Sequence, residues 1–208
     1  RGPWVTNMKK ALLRHKQGDL TASLVHYIHL AEIGYEVAQS NAALLLEEGT
    51  CGLLSSSLAC QALAVRYYRH ASKQGNAEAS LKVGDAYYYG SAGLPVDFAK
   101  AAKYYQTAAE ARQPQAMFNL GLMHQYGVGL KQDFHLAKRF LDASAEAYPE
   151  AKWPVNLALI GLYVHWWVVG EDKSLIESPI VTTAPGVSVL VEQSVLAELV
   201  RAWGRKRE

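Results

Sequence analysis

The sequence predicts an all-α protein, a right-handed α-solenoid of stacked antiparallel helix pairs. Three observations carry that expectation. Segments centred on Ala38, Ala79 and Ala116 resemble one another at spacings of 41 and 37 residues, the kind of period that marks a repeat array. Eleven residues before each anchor stands a tyrosine (Tyr27, Tyr68, Tyr105), and eleven after it a glycine (Gly49, Gly90, Gly127). Stretches such as Phe98–Ala111 and Ala116–Tyr126 carry apolar residues at helical spacing, so each unit reads as two helices. One such hairpin cannot bury its own apolar face, whereas stacked neighbours can.

The elements follow in order. Trp4–Gly18 reads as the tail of a preceding unit, and Asp19–Gly49, Leu58–Gly90 and Asp97–Gly127 as three units. A fourth, less regular unit runs from Asp133 to Gly170 through Ala137, Phe140 and Ala151. Thr50–Ser57 is a Ser/Gly-rich insertion between the first two units. Small residues (Ala101, Ala102, Ala108, Ala109) let helix axes approach, and Tyr104 and Tyr105 fill the remaining space. Gly90 and Gly127 sit where a helix must stop, suited to a left-handed terminal residue. Asp97 and Asp133 are placed to cap the helices that follow. Ala79, Gly84, Ala116 and Gly121 complete the repeat-forming set.

Beyond these units the pattern changes. Val155–Val169 is the longest charge-free apolar run. It includes Asn156 and His165 and falls short of the about 20 residues of a membrane span, which favours a buried or interfacial helix. The expected organisation is a repeat solenoid over 1–152, an apolar, buried or membrane-interfacial helix over 153–170, and a linker with a short amphipathic helix over 171–208. The start at Arg1-Gly2-Pro3-Trp4, without an initiator Met or a signal-peptide layout, reads as a fragment or processed form of a longer chain.

Composition narrows the function classes. Half the 208 residues are apolar, and 21 basic side chains balance 19 acidic ones, too even for a chain held to nucleic acid by phosphate neutralisation. The apolar content also argues against disorder. Two cysteines cannot build a disulfide-dense scaffold or a four-thiolate zinc site.

The aromatic pairs, the Ala-Ala step, the Ala-x-x-x-Leu-Gly run and the closing Gly-x-Gly-x-x-x-Asp resemble the Sel-one-like repeat, a relative of the tetratricopeptide repeat. The third unit carries the pattern most fully: Asp97, Lys100-Ala101, Tyr104-Tyr105, Ala108-Ala109, Ala116, Leu120-Gly121, Tyr126-Gly127-Val128-Gly129 and Asp133. Within that family, Leu30–Ala43, Gln115–Gly121 with Gly129–Phe140, and Pro149–Val155 resemble the last repeat block of the adaptor subunits of the endoplasmic-reticulum ubiquitin ligase for misfolded proteins. The resemblance implies a non-catalytic scaffold on the luminal side of the endoplasmic-reticulum membrane. Its partners would be a polytopic membrane ubiquitin ligase, lectins and misfolded glycoprotein clients, with no cofactor and no metal. It also implies that the apolar helix lies against the ligase or the luminal leaflet, where Trp153, Tyr163, Trp166 and Trp167 suit the headgroup zone. Animal and fungal adaptors close with a membrane span; the residues after Gly170 are instead a Pro/Gly-containing stretch and a basic-ended segment.

Trp153, Leu157, Ile160, Tyr163, Val164 and Trp167 are the expected ligase-facing or lipid-facing residues, since large aromatics offer contact area at low entropy cost. Cys51 and Cys60 flank the insertion. In an oxidising lumen they would close a loop worth roughly 2–3 kcal/mol; otherwise Cys60 is a small core residue and Cys51 a loop thiol. His26 and His29 lie three apart on one helix but lack a third ligand, so groove-lining histidines are expected, as for His124 and His135. Gly127-Val128-Gly129 follows no strand and precedes no Gly-Lys-Ser/Thr, so it reads as a repeat turn rather than a phosphate loop. Arg201, Arg205, Lys206 and Arg207 suit either anionic lipid or a solvated helix end.

Two other function classes remain open at this level. One is a generic soluble repeat scaffold, in which Val155–Val169 merely caps the core. The other is an enzyme, because cysteine-rich bacterial relatives of the repeat are linked to penicillin hydrolysis as β-lactamase-like proteins. Those carry a cysteine pair in successive repeats, whereas this chain has one pair inside an insertion.

Overall fold

The computed structural model describes residues 3–51, 56–149 and 152–171. Among these, all regular structure is helical: α1 (Pro3–Lys16), α2 (Leu20–Ile33), α3 (Glu36–Glu47), α4 (Ser57–Lys73), α5 (Ala77–Tyr89), α6 (Phe98–Glu110), α7 (Pro114–Tyr126), α8 (Phe134–Ala147) and α9 (Lys152–Glu171). The chain divides into two compact units, Arg1–Tyr163 and Val164–Glu208. The first is an α-solenoid in which each helix from α1 to α7 packs on the next along the chain. The described part of the second is the end of α9, and the expected linker, the terminal amphipathic helix and Arg201, Arg205, Lys206 and Arg207 lie outside the described residues.

Six of the helices start on a side-chain cap. Asp19, Ser56, Asn76, Asp97 and Asp133 accept hydrogen bonds from Ala22, Ala59, Ala79, Lys100 and Leu136 backbone N–H groups at 2.7–3.1 Å, satisfying donors that a helix leaves unpaired in its first turn. Gln113 does the same for α7 ahead of Pro114. Gly90 and Gly127 end α5 and α7 at φ +68° and +69°. The turns between paired helices need the same left-handed backbone: Gly34 and Gly75 supply it in the first two units, and Arg112 holds it at φ +59° in the third.

The core of the first unit is built as successive clusters along the chain. Leu24, Tyr27, Leu30, Leu45, Leu46, Tyr67 and Tyr68 bury against one another across α2–α4, and Leu81, Tyr105, Met117, Leu120 and Met123 across α5–α7. Ala42, Ala43, Ala79, Ala101, Ala108 and Ala116 are fully buried, and their small size sets the axis spacing. Glycine also lets helices of neighbouring units approach closely. A Cβ at Gly84 would lie 2.6 Å from the Tyr105 ring, and one at Gly121 2.8 Å from Leu141.

That pairing shows which residues are equivalent between repeats, and polar contacts follow the same ladder. The Tyr68 hydroxyl donates to Glu47 at 2.8 Å and the Tyr105 hydroxyl to Asp85 at 2.7 Å, each linking a helix to the preceding unit. Asn76 likewise donates to Glu36, and Gln113 to Glu78 at 2.7 Å. At the third interface Leu141 takes the place of the tyrosine and has no hydroxyl. Gln125, in the position of Glu47, is 1% exposed, and neither its amide nitrogen nor its oxygen has a partner. A buried amide without partners is costly. Gln125→Met, similar in volume and apolar, is expected to raise stability by about 1 kcal/mol, read as a higher urea midpoint at unchanged m-value.

Candidate interaction surface on the last helix

Helix α9 contains no charged side chain from Trp153 to Gly170. A helix apolar on every side calls for burial on every side. Among the described residues, the fold covers one edge. Val155 and Leu162, each 1% exposed, pack with Ala158 and Leu159 against Ala137, Leu141, Phe118 and Phe134 of α7 and α8. The step of seven between Val155 and Leu162 keeps both on this edge.

The six residues expected to contact a partner are on the exposed remainder of the helix. Trp153 is 85% exposed, Ile160 61% and Trp167 66%, and Leu157, Tyr163 and Val164 are also exposed. Trp153, Leu157, Ile160, Val164 and Trp167 recur at intervals of four and three, which aligns them as one stripe, with Tyr163 beside it. Trp166, outside that set of six, is exposed as well. Exposed apolar stripes of this kind are the type of surface from which protein and lipid contacts are generally built. Among the described residues, no helix is long and apolar enough to cross a membrane.

The remaining sequence candidates resolve into structure. Tyr68, Ala79, Tyr105 and Ala116 are buried, Gly84 and Gly121 are the close approaches, Gly90 and Gly127 end helices, and Asp133 caps α8. Cys51 and Cys60 are joined as a disulfide with Cα atoms 6.0 Å apart, tying the end of α3 to the start of α4; the loop at 52–55 lies outside the described residues. His26 is half-buried and His29 exposed, and no group of three or more His, Cys, Asp or Glu that could hold a metal occurs among the described residues. His124 stacks on Phe140 with centroids 5.6 Å apart. Gly129 turns at φ +65° against the Phe98 backbone, so Gly127-Val128-Gly129 is a packed repeat turn.

Sequence reasoning missed the carboxylates that the repeat tyrosines engage. A cavity of about 290 Å³ between α3, α4 and α5 is lined by Glu47, Gln61, Tyr68, Lys82, Asp85 and Tyr89. Its charged groups are engaged within the fold: Lys82 pairs with Glu47 at 2.8 Å, and Tyr105 holds Asp85. Burial raises the Asp85 pKa above the usual carboxylate value, with the Tyr105 hydrogen bond and Lys82 opposing the rise. Burial beside Glu47 likewise pushes the Tyr68 hydroxyl up. No spacing rule pairs these residues, because Glu47 and Asp85 occupy different positions within their own repeats.

Stacked antiparallel helix pairs define a helical-repeat protein. The chain belongs to the Sel1 repeat family, whose pattern matches residues 37–76, 77–112 and 114–148, each match beginning with the second helix of a pair. It is 43% identical over 172 residues to the ERAD-associated E3 ubiquitin-protein ligase component HRD3A of Arabidopsis thaliana, covering 79% of this chain and 25% of that protein. It is 42% identical over 162 residues to protein sel-1 homolog 2 of Rattus norvegicus, covering 77% and 23%. The chain thus spans about a quarter of the length of the curated relatives it matches. Among solved structures it resembles c5321, a protective antigen of uropathogenic Escherichia coli with an SLR fold, at TM-score 0.64 and 24% identity, covering 80% of this chain and 33% of that one. A Sel1 repeat protein from Oxalobacter formigenes matches at TM-score 0.59 and 22% identity, covering 67% and 55%.

Proposed function

We propose that this chain is a non-catalytic adaptor block of an endoplasmic-reticulum ubiquitin-ligase complex, which stabilises the ligase and helps deliver misfolded luminal proteins for degradation. Residues 1–152 serve as the scaffold, and residues 153–170 as the element seated against a polytopic ligase or the luminal leaflet. The observation that carries this reading is the exposed stripe Trp153, Leu157, Ile160, Val164 and Trp167 on a helix whose opposite edge is buried. The kinship with a protein named as an E3 ligase component supports the choice of partner. Lectins and misfolded glycoprotein clients belong to the same reading as partners of the assembled complex. The Cys51–Cys60 bridge suits an oxidising lumen.

Recovery of a polytopic ubiquitin ligase from mildly solubilised microsomes, by this chain with and without residues 153–170, tests the proposal. Recovery only with the helix is expected. Equal recovery without it would move the contact onto the repeats, and no recovery by a folded chain would leave a generic soluble scaffold. Compartment has its own readout: protein isolated with thiols blocked at lysis is expected to show no free cysteine, and reduction to lower stability by roughly 2–3 kcal/mol.

A further inference from the structure

The same fold contains one finished and one unfinished version of a cation–tyrosine arrangement. In the finished version Arg66 lies 5.1 Å from the centre of the Tyr67 ring, and the Arg66 guanidinium and the Tyr67 hydroxyl both donate to the same oxygen of Glu32 at 2.6 Å. The carboxylate closes the set. One turn along α4, Arg69 lies 5.3 Å from the centre of the Tyr87 ring and donates to the Tyr87 hydroxyl at 2.7 Å. Tyr87 in turn stacks on Tyr104, centroids 5.8 Å apart and planes 16° apart. Here no carboxylate arrives. Among the described residues Arg69 has no ion-pair partner, and its Nε is buried without an acceptor.

The surroundings add positive charge. Lys100 Nζ sits 5.4 Å from the same Tyr87 ring, so two cations flank one aromatic. Lys100 is paired with Asp97 at 2.9 Å, but Lys73 and Lys103, on α4 and α6, are exposed and have no carboxylate partner among the described residues. An aromatic stack holds a guanidinium in place at little further entropy cost, and a preorganised guanidinium with a hydroxyl donor beside it matches a carboxylate.

We propose that the Arg69–Tyr87–Lys100 cluster is a docking contact for an acidic segment of a partner protein, a Glu or Asp carboxylate taking the place that Glu32 takes beside Arg66 and Tyr67. Charge complementarity chooses this occupant, since Lys100 keeps Asp97 while Arg69 lacks the carboxylate that Arg66 already holds. The contact lies on α4, α5 and α6 and stands whether or not α9 meets a ligase.

The test uses the full 208-residue chain and a fluorescein-labelled hexaglutamate peptide, with hexaglutamine as the neutral control, read by fluorescence anisotropy at about 50 mM salt. Binding of hexaglutamate alone is expected, weakened about 5–10-fold by Arg69→Gln and by Lys100→Gln. Lys9→Gln, the same charge change on α1, is expected to leave the affinity within about twofold. Arg69 is half-buried, so its variant is first checked for helical content; exposed Lys100 supplies the second variant. Equal losses in all three variants would reduce the effect to diffuse attraction and overturn the proposal. So would hexaglutamine binding as tightly as hexaglutamate, or no binding by the unmodified chain.

Discussion

Leu162→Asp is expected to destabilise the end of the solenoid by about 4 kcal/mol, whereas Ile160→Asp, two residues away on the same helix, changes stability by no more than about 0.5 kcal/mol. Leu162 is fully buried against Ala137 and Leu141, so the substitution both empties an apolar site and places a carboxylate in it. Ile160 points into solvent. The order reverses for binding: Ile160→Asp is expected to abolish retention on the membrane ligase while the urea midpoint stays in place. A matching loss of helical signal in Ile160→Asp would show that this edge belongs to the core and would remove the stripe from the functional argument.

Tyr105→Ala is expected to cost about 4 kcal/mol, because a buried aromatic is removed from above Gly84, where the backbone leaves a fitted slot. Tyr105→Phe keeps the ring and removes only the hydroxyl, at a cost of about 1–2 kcal/mol at neutral pH. Its effect depends on pH through Asp85, whose carboxyl then loses its donor. Burial already raises the pKa of Asp85 in the folded protein above the unfolded value. The native state therefore binds this proton more tightly, and the contribution of Asp85 to stability falls as pH rises through the window between the two values. Removing the hydroxyl lifts the folded pKa further and widens that window. Urea midpoints of the two proteins are expected to converge toward about pH 3.5 and to separate toward pH 7. A cost independent of pH would mean that the hydroxyl does not act through the carboxylate.

Much of the fold was legible because the repeat imposes local chemistry at constant offsets. Gly90 and Gly127 were expected as left-handed helix ends and are. Asp97 and Asp133 were expected as caps, and each accepts the predicted class of backbone hydrogen bond. Local signals ran out where a contact is made between repeats. The left-handed turn at Arg112 carries no glycine to announce it. Glu47 and Asp85 reach their tyrosines from different registers, and Gln125 has no hydrogen-bond partner in the unit where Leu141 stands in place of Tyr68 and Tyr105.

The candidate surface divides the same way. Sequence alone determined that α9 is apolar and uncharged, that helix pairs precede it, and that its large residues fall at helical spacing. It could not choose an exposed edge, because every face of that helix is apolar and a hydrophobic period has nothing to select. Only the tertiary structure made that choice: Ala137 and Leu141 of α8 take Val155 and Leu162, which leaves Trp153, Leu157 and Ile160 exposed. Likewise, two cysteines nine residues apart have no fixed separation in space until the end of α3 and the start of α4 bring their Cα atoms to 6.0 Å.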